Sequence, residues 1–228
     1  MKLYTFGDSW TRNREFYQKE YFNTFIEDTS NKPWNELLSI HYNLTLVNLG
    51  ASGGAPQTIV NRLIKQLDAI EENSTVVVSL SALNRVTIPI FKEDNLIELF
   101  VTHKPLQWFE RKKFKLNLKE SNLSEEVYNS AVQFSTNVLY PLYNNYQRYY
   151  FDQVKSLLLF LQSTKNIKFL FWNWEYTVHT KTDQFYIDRI VDHTKGKVND
   201  LHPSSKGHNQ LFNYFKNAID SNTEYLWF

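Results

Sequence analysis

The chain has 228 residues, of which 42% are hydrophobic and 16% aromatic, so one large domain with a buried core is expected. Its 25 basic and 24 acidic side chains nearly balance, which gives no reason to expect binding to nucleic acid or to an anionic membrane. The absence of cysteine excludes disulfides and thiolate metal sites. The first residues, MKLYTFGDS, enter a strand without the charged region and apolar run of a signal peptide, and no apolar stretch reaches membrane-spanning length. These features predict a cytoplasmic protein as encoded.

Short apolar runs alternate with amphipathic segments along most of the chain. The runs are rich in β-branched and aromatic residues, which is typical of buried strands, and the segments repeat apolar residues at helical spacing. In chain order, the predicted elements are a strand over 2–6, a helix over 33–42, a strand over 44–49, a helix over 56–72, a strand over 75–80, a helix over 145–164, a strand over 167–172 and a helix from about Ser205 to Asp220. This alternation predicts an α/β fold: a three-layer α/β/α flavodoxin-like sandwich with a parallel sheet of four or five strands, in a single domain over 1–228.

A long segment, from about 86 to 144, interrupts this alternation. It mixes the basic patch RKKFK (111–115) with polar stretches and isolated aromatic residues. A connection of this length inside one domain is usually functional or carries elements of its own. We expect a mostly helical insertion after the third strand, over the carboxyl edge of the sheet, where it would contribute to substrate choice.

Four short stretches fall where a doubly wound sheet binds its ligands, just after a strand or just before the last helix. They are GDSW (7–10), NLGASGGA (48–55), SLSALNR (79–85) and NDLHPSSKGH (199–208). In this order and spacing they resemble the SGNH-hydrolase, or GDSL-type esterase, superfamily, and they are similar to divergent members found in phage and bacterial genomes. The G-x-S-x-G elbow of the other large hydrolase fold is absent.

The residue types in these stretches suit nucleophilic catalysis. A serine hydroxyl needs a base to take its proton, which makes Ser9 the candidate nucleophile and His202 the candidate base. The resemblance places the supporting acid three residues before the histidine, where this chain has Asn199, while Asp200 lies two before. Either Asp200 turns toward His202 or the site works as a Ser–His dyad, and we favour Asp200. The simpler alternative for Ser9 is a helix N-cap.

The resemblance also implies an oxyanion hole made by the Ser9 amide, the Gly53 amide and the Asn84 side chain. The family's third stretch has glycines followed by Asn-Asp, whereas here Asn84 precedes Arg85, so Ser81 is an alternative donor. Gly50 and Gly54 are expected to be turn glycines.

Several side chains beside these stretches are candidates for substrate contact. They are Asp8, Trp10, Arg85, Trp172 and Trp174. Alternation along a strand sends Trp172 and Trp174 to one face, where each is either core or the wall of a pocket. No histidine has metal-ligand neighbours at a suitable spacing, so no metal and no cofactor are expected.

The sequence therefore predicts a serine esterase that acts through an acyl-Ser9 intermediate on a small-molecule or glycan ester. A carbohydrate O-acetyl ester is the preferred substrate class, because aromatic side chains suit sugars. Two alternatives stay open: a lipid or thioester acyl hydrolase, and a non-catalytic glycan-binding module on the same fold.

Overall fold

The segments expected to be strands pair into one sheet in the computed structural model of this chain. The structure describes residues 1–8, 11, 32–50, 56–80, 85–92, 95–102, 124–134, 137, 143–173, 189–192, 197–203 and 205–226. The elements are β1 (Lys2–Gly7), α1 (Trp34–His41), β2 (Thr45–Gly50), α2 (Pro56–Gln66), β3 (Thr75–Leu80), β4 (Arg85–Lys92), β5 (Asn95–Thr102), α3 (Glu125–Phe134), α4 (Tyr143–Lys165), β6 (Lys168–Asn173), β7 (Arg189–Asp192), β8 (Lys197–Pro203), α5 (Ser205–Asp220) and β9 (Tyr225–Leu226).

The main sheet has the strand order β2-β1-β3-β6-β9, and every neighbouring pair in it is parallel. The chain runs outward from β1 to β2 and then returns across β1 to β3, so the strand order reverses between β1 and β3. This is the flavodoxin-like order, and the predicted fold class is confirmed. Doubly wound sheets bind ligands at such a reversal, at the carboxyl ends of the strands. The ends of β1 and β3 are therefore the first place to look for a site.

A different pair of helices covers each face of the sheet. Successive side chains of a strand point to opposite faces, so each strand contributes to both cores. In β3, Val76 and Val78 belong to one core cluster and Val77 to the other. The first cluster holds residues of α2 and α4, including Leu63 and Leu158, and the second holds residues of α1 and α5. The result is the expected three-layer arrangement, with a core on both sides of the sheet.

The insertion differs from the expectation at its start. Strands β4 and β5 form an antiparallel hairpin in which Lys92 is opposite Asn95, so only two residues connect them. The expectation of a mostly helical segment is wrong for this part, although α3 and the start of α4 are helical. The physical reason is the β-branched and aromatic content of RVTIPIFK and NLIELFVT, which favours strands. Pro89 is tolerated because both strands of a two-stranded sheet are edge strands. The hairpin begins five residues after β3 ends, and β4 contacts α2.

The amino edge of the sheet is held by a polar contact between the ends of α1 and α5. The Tyr42 hydroxyl donates to one carboxylate oxygen of Asp220 at 2.7 Å, and the Lys216 ammonium group lies 2.7 Å from the other. These two hydrogen bonds, with that from Lys216 the stronger influence, lower the pKa of Asp220 below its ordinary value of 3.8. Burial and the neighbouring carboxylate raise the pKa of Tyr42.

We expect the variant Asp220→Asn to lower the melting temperature near neutral pH and much less in acid. Because the folded-state pKa of Asp220 is lowered, its contribution to the free energy of unfolding is present above the ordinary value of 3.8 and is lost as the pH falls through the folded value. Thermal denaturation at about pH 7 and about pH 3 measures the difference. Asp68→Asn, an exposed carboxylate after α2, is the control and should change neither melting temperature.

Candidate active site

Buried polar residues collect at the carboxyl edge of the sheet. Seven of them lie at the end of β1 or β3, just beyond β1, or at the start of α1, α2 or α5, and each is at most 8% exposed: Asp8, Thr11, Asn35, Gln57, Thr58, Ser79 and His208. Burying polar groups costs free energy, so proteins rarely concentrate them without a structural or functional reason. This edge is therefore the candidate active site, and it contains the reversal of strand order.

Two glycines at this edge are required because Thr11 packs against them. A Cβ atom on Gly7 would lie 2.1 Å from Thr11 Oγ1 and 3.1 Å from the Cβ of Ser79. A Cβ atom on Gly50 would lie 2.9 Å from the carbonyl carbon and oxygen of Thr11. The φ angle of neither glycine is in the left-handed region. The expectation that Gly50 is a turn glycine is therefore wrong: it ends β2, and close approach of the backbone is the reason for it.

Thr11 is held by hydrogen bonds from two directions. Its amide donates to the Asp8 carbonyl at 3.0 Å, and its own carbonyl accepts from the Asn35 side-chain amide at 2.7 Å. Asn35 is fully buried at the start of α1, and its Oδ1 atom accepts the amide of Glu36 at 3.0 Å. The first helix is thus bonded to the chain just after β1. Sequence reasoning did not single out Thr11 or Asn35, although an asparagine in the first turn of a helix is a weak helix former and was the available signal.

The end of β2 is also fixed by side chains. Asn48 Oδ1 accepts the amide of Gly50 at 2.9 Å and lies 3.4 Å from the Thr5 hydroxyl. The Arg62 guanidinium, from α2, donates to the Leu49 carbonyl at 3.1 Å and reaches the Gly50 carbonyl at 3.4 Å. These contacts place the start of the glycine-rich stretch beside the end of β1.

We expect Gly50→Ala and Gly7→Ala each to lower the free energy of unfolding by about 2 kcal/mol, because the new methyl group overlaps Thr11. Urea denaturation measures the loss. Adding Thr11→Ala should recover part of the loss for Gly7→Ala, since it removes the nearest atom, a side-chain oxygen. It should recover nothing for Gly50→Ala, because there the obstacle is the backbone of residue 11. If Thr11→Ala restored the free energy of unfolding equally in the Gly7→Ala and Gly50→Ala backgrounds, this packing would be contradicted.

Five of the residues proposed for catalysis or substrate binding lie outside the described part of the chain. They are Ser9, Trp10, Gly53, Asn84 and Trp174. Their roles remain predictions.

Asp200 and His202 lie on β8, a strand that leads into α5 and pairs with β7. Val191 is paired with Val198 and Arg189 with Pro203, so two steps along β7 correspond to five along β8. The irregular stretch is therefore 199–202, which contains the motif. Bulges of this kind redirect side chains and are frequent next to active sites. Inside such a bulge a spacing of two or three residues does not decide between Asp200 and Asn199 as the partner of His202.

Two of the side chains proposed for substrate contact are buried. Trp172 has no exposed surface, and its ring centroid lies 5.0 Å from that of Phe215 in the core under α5. Of the two roles considered for Trp172, core residue or pocket wall, the core is correct, because α5 covers that face of β6. Asp8 is also fully buried, and its contact with substrate remains a prediction. Arg85 begins β4, and only its backbone is described.

His208 makes a buried structural contact with the start of α1. It is fully buried in the first turn of α5, and its Nδ1 atom accepts the amide of Trp34 at 3.4 Å. Within the described residues, no group of three histidine or carboxylate side chains could hold a metal ion. In the same residues, no helix combines the length and apolar character needed to cross a membrane.

The strand order and the buried polar carboxyl edge define a doubly wound α/β protein of the flavodoxin-like type. No protein-family model matches the chain, and no curated protein matches it.

Several solved structures are similar to it. One is a protein assigned to the lipolytic G-D-S-L family from Desulfitobacterium hafniense, at 16% identity and a TM-score of 0.38, over 95% of this chain and 98% of that one. Another is a member of the lipolytic protein G-D-S-L family from Veillonella parvula, at 15% identity and a TM-score of 0.37, over 96% and 97%. A third is an alpha/beta hydrolase enzyme from the metagenome of Lake Arreo, Spain, at 15% identity and a TM-score of 0.36, over 96% and 94%. The fold and the candidate site rest on the contacts of this chain.

Proposed function

We propose that this protein is a divergent SGNH-type serine hydrolase that cleaves an ester through an acyl-Ser9 intermediate. One observation carries the proposal. The residues on either side of positions 9 and 10, Asp8 and Thr11, are both fully buried and hydrogen-bonded to each other at the carboxyl end of β1. A nucleophile has to be held in one place, and this support lies at the reversal of strand order where such folds bind ligands.

The proposed reaction has two halves. His202 takes the proton of the Ser9 hydroxyl as the serine oxygen attacks the ester carbonyl carbon, and the oxyanion is stabilised by the Ser9 and Gly53 amides and by Asn84. The carbon–oxygen bond to the leaving alcohol then breaks, and His202 gives its proton to that oxygen. Water, deprotonated by His202, then attacks the acyl carbon, the bond between that carbon and the Ser9 oxygen breaks, and His202 returns its proton to the Ser9 oxygen as the acid is released. Asp200 orients the imidazole and stabilises its charged form.

A carbohydrate O-acetyl ester is the proposed substrate. Trp10 and Arg85 belong to two of the motif stretches, and Trp174 follows the last residue of β6 in sequence. They are the residue types that stack on sugars and hydrogen-bond to their hydroxyl groups. The described residues of the insertion support a role in substrate choice, because its hairpin begins just beyond the carboxyl end of β3. The second candidate, a non-catalytic glycan-binding module, is favoured by one observation, the neutral Asn199 at the family's acid position.

Labelling with a fluorophosphonate probe, followed by mass mapping of the adduct, tests the proposal. We expect one adduct, on Ser9, and its loss in His202→Ala. The same protein should release acetate from an acetylated sugar faster than it hydrolyses a long-chain aryl ester. An adduct on another serine contradicts the assigned nucleophile. A protein that binds acetylated glycan but takes no label is the binding module.

A further inference from the structure

A buried hydrogen bond connects the segment that carries Ser9 to helix α1. Asn35 Nδ2 donates to the Thr11 carbonyl at 2.7 Å, across 24 residues of sequence. Both residues are fully buried, so water does not compete for the carbonyl. A hydrogen bond of this length in a buried setting is well formed, and its loss leaves a buried acceptor unsatisfied.

The other contacts of Thr11 hold it against the ends of two strands. Its side chain packs against Gly7 and its backbone against Gly50, where an added Cβ atom would overlap it, and its amide donates to the Asp8 carbonyl. Removing the Asn35 contact therefore releases the side of Thr11 that faces α1, while the contacts to β1 and β2 remain. The expected result is a small displacement of residues 8–11 in a fold that is otherwise intact.

We infer that Asn35 is a positioning residue for the nucleophile: its side-chain amide holds Thr11, and Thr11 sets the place of Ser9. This inference rests on the proposed function. Asn35 acts through Thr11 and touches no reacting atom. Its contribution is to the geometry of attack, where a displacement of about 1 Å costs about 100-fold in rate.

The first test compares Asn35→Ala with Leu38→Ala, a truncation of a fully buried core residue on the same helix. Asn35→Ala is expected to lower kcat for a short-chain aryl ester and the rate of fluorophosphonate labelling of Ser9 by about 10- to 100-fold, with KM changed less than about 3-fold. Leu38→Ala, although it also destabilises the fold, should keep kcat and the labelling rate near those of the wild type when assayed well below its melting temperature.

The second test uses Asn35→Asp, which keeps the shape and the acceptor for the Glu36 amide but loses the donor when it is ionised. A protonated carboxyl group can donate to the Thr11 carbonyl, so the labelling rate of Asn35→Asp relative to wild type should rise as the pH is lowered. Dividing by the wild-type rate removes the titration of groups that both proteins share, such as Asp8, Glu36 and His208. A merely structural role would leave this ratio flat.

The outcomes separate the inference from the proposed function. If wild-type Ser9 takes no label, the proposed function is wrong and the inference fails with it. If wild-type Ser9 is labelled and Asn35→Ala is labelled equally fast, the inference alone is overturned. The same holds if Asn35→Ala and Leu38→Ala lose rate in proportion to their loss of stability. Should Asn35→Ala fail to fold, the pH dependence of Asn35→Asp decides between the two roles.

Discussion

Replacing Ser9 with alanine is expected to lower kcat for a short-chain aryl ester by at least about three orders of magnitude. The variant has no hydroxyl oxygen to form the acyl intermediate, and only the oxyanion hole and substrate binding would remain to accelerate hydrolysis. The melting temperature should stay near that of the wild type, since the exchange removes only one oxygen atom and keeps the Cβ atom of residue 9. Steady-state hydrolysis and thermal denaturation of the same preparation measure both quantities.

Ser74→Ala is a suitable control for this variant. Ser74 is fully buried just before β3, at the amino edge of the sheet, and its hydroxyl has no hydrogen-bond partner within the described residues. The control should therefore retain the wild-type kcat. Undiminished activity of Ser9→Ala would end the assignment of the nucleophile.

The second large effect is expected from the acid beside His202. If Asp200 orients the imidazole, Asp200→Asn should lower kcat by up to about four orders of magnitude, because a neutral partner neither holds the required tautomer nor stabilises the imidazolium ion. Asn199→Ala should change kcat by less than about 10-fold. The two variants differ at neighbouring positions in the irregular part of β8, so each is a control for the other.

The pH dependence of kcat/KM distinguishes this role from general damage to the strand. A nearby carboxylate favours the charged imidazole and raises its pKa, so removing the charge should lower the pKa of His202. Since the reaction needs the neutral imidazole, the acid limb of the profile of Asp200→Asn should move to lower pH. A larger loss in Asn199→Ala would instead assign the supporting role to Asn199.

The sequence alone predicted the elements of the main sheet closely. The run TVVVSL coincides with β3, and the last helix was expected over the same residues that α5 occupies, because hydrophobic periodicity is local and strong in both. The short strand β9 was missed, since two residues carry no period. The hairpin of β4 and β5 was missed because Pro89 weakens a strand pattern, and it is accommodated only because that strand has a free edge.

The resemblance of the four motifs to a hydrolase family came from residue types in order along the chain, and these motifs already predicted a site at the carboxyl edge. The contacts that hold the chain in place just after β1 could not be predicted from these motifs. Thr11 packs on Gly7 and Gly50 and bonds to Asn35, and its contacts to Gly50 and Asn35 join residues far apart in sequence. No local pattern encodes them, because they depend on which strand and which helix lie next to the end of β1.

The role of Trp172 was likewise predicted in part from the sequence and decided by the tertiary structure. Alternation along β6 determined that its side chain points to one face of the sheet, but not what covers that face. The tertiary structure places α5 there, with Phe215 against the indole ring, and this makes the residue part of the core. Local periodicity thus determined the four longer strands of the main sheet, the helices that cover it and the edge that carries the motifs. Which side chains are buried at that edge was decided only by packing, since burial depends on neighbours that the chain brings together from distant positions.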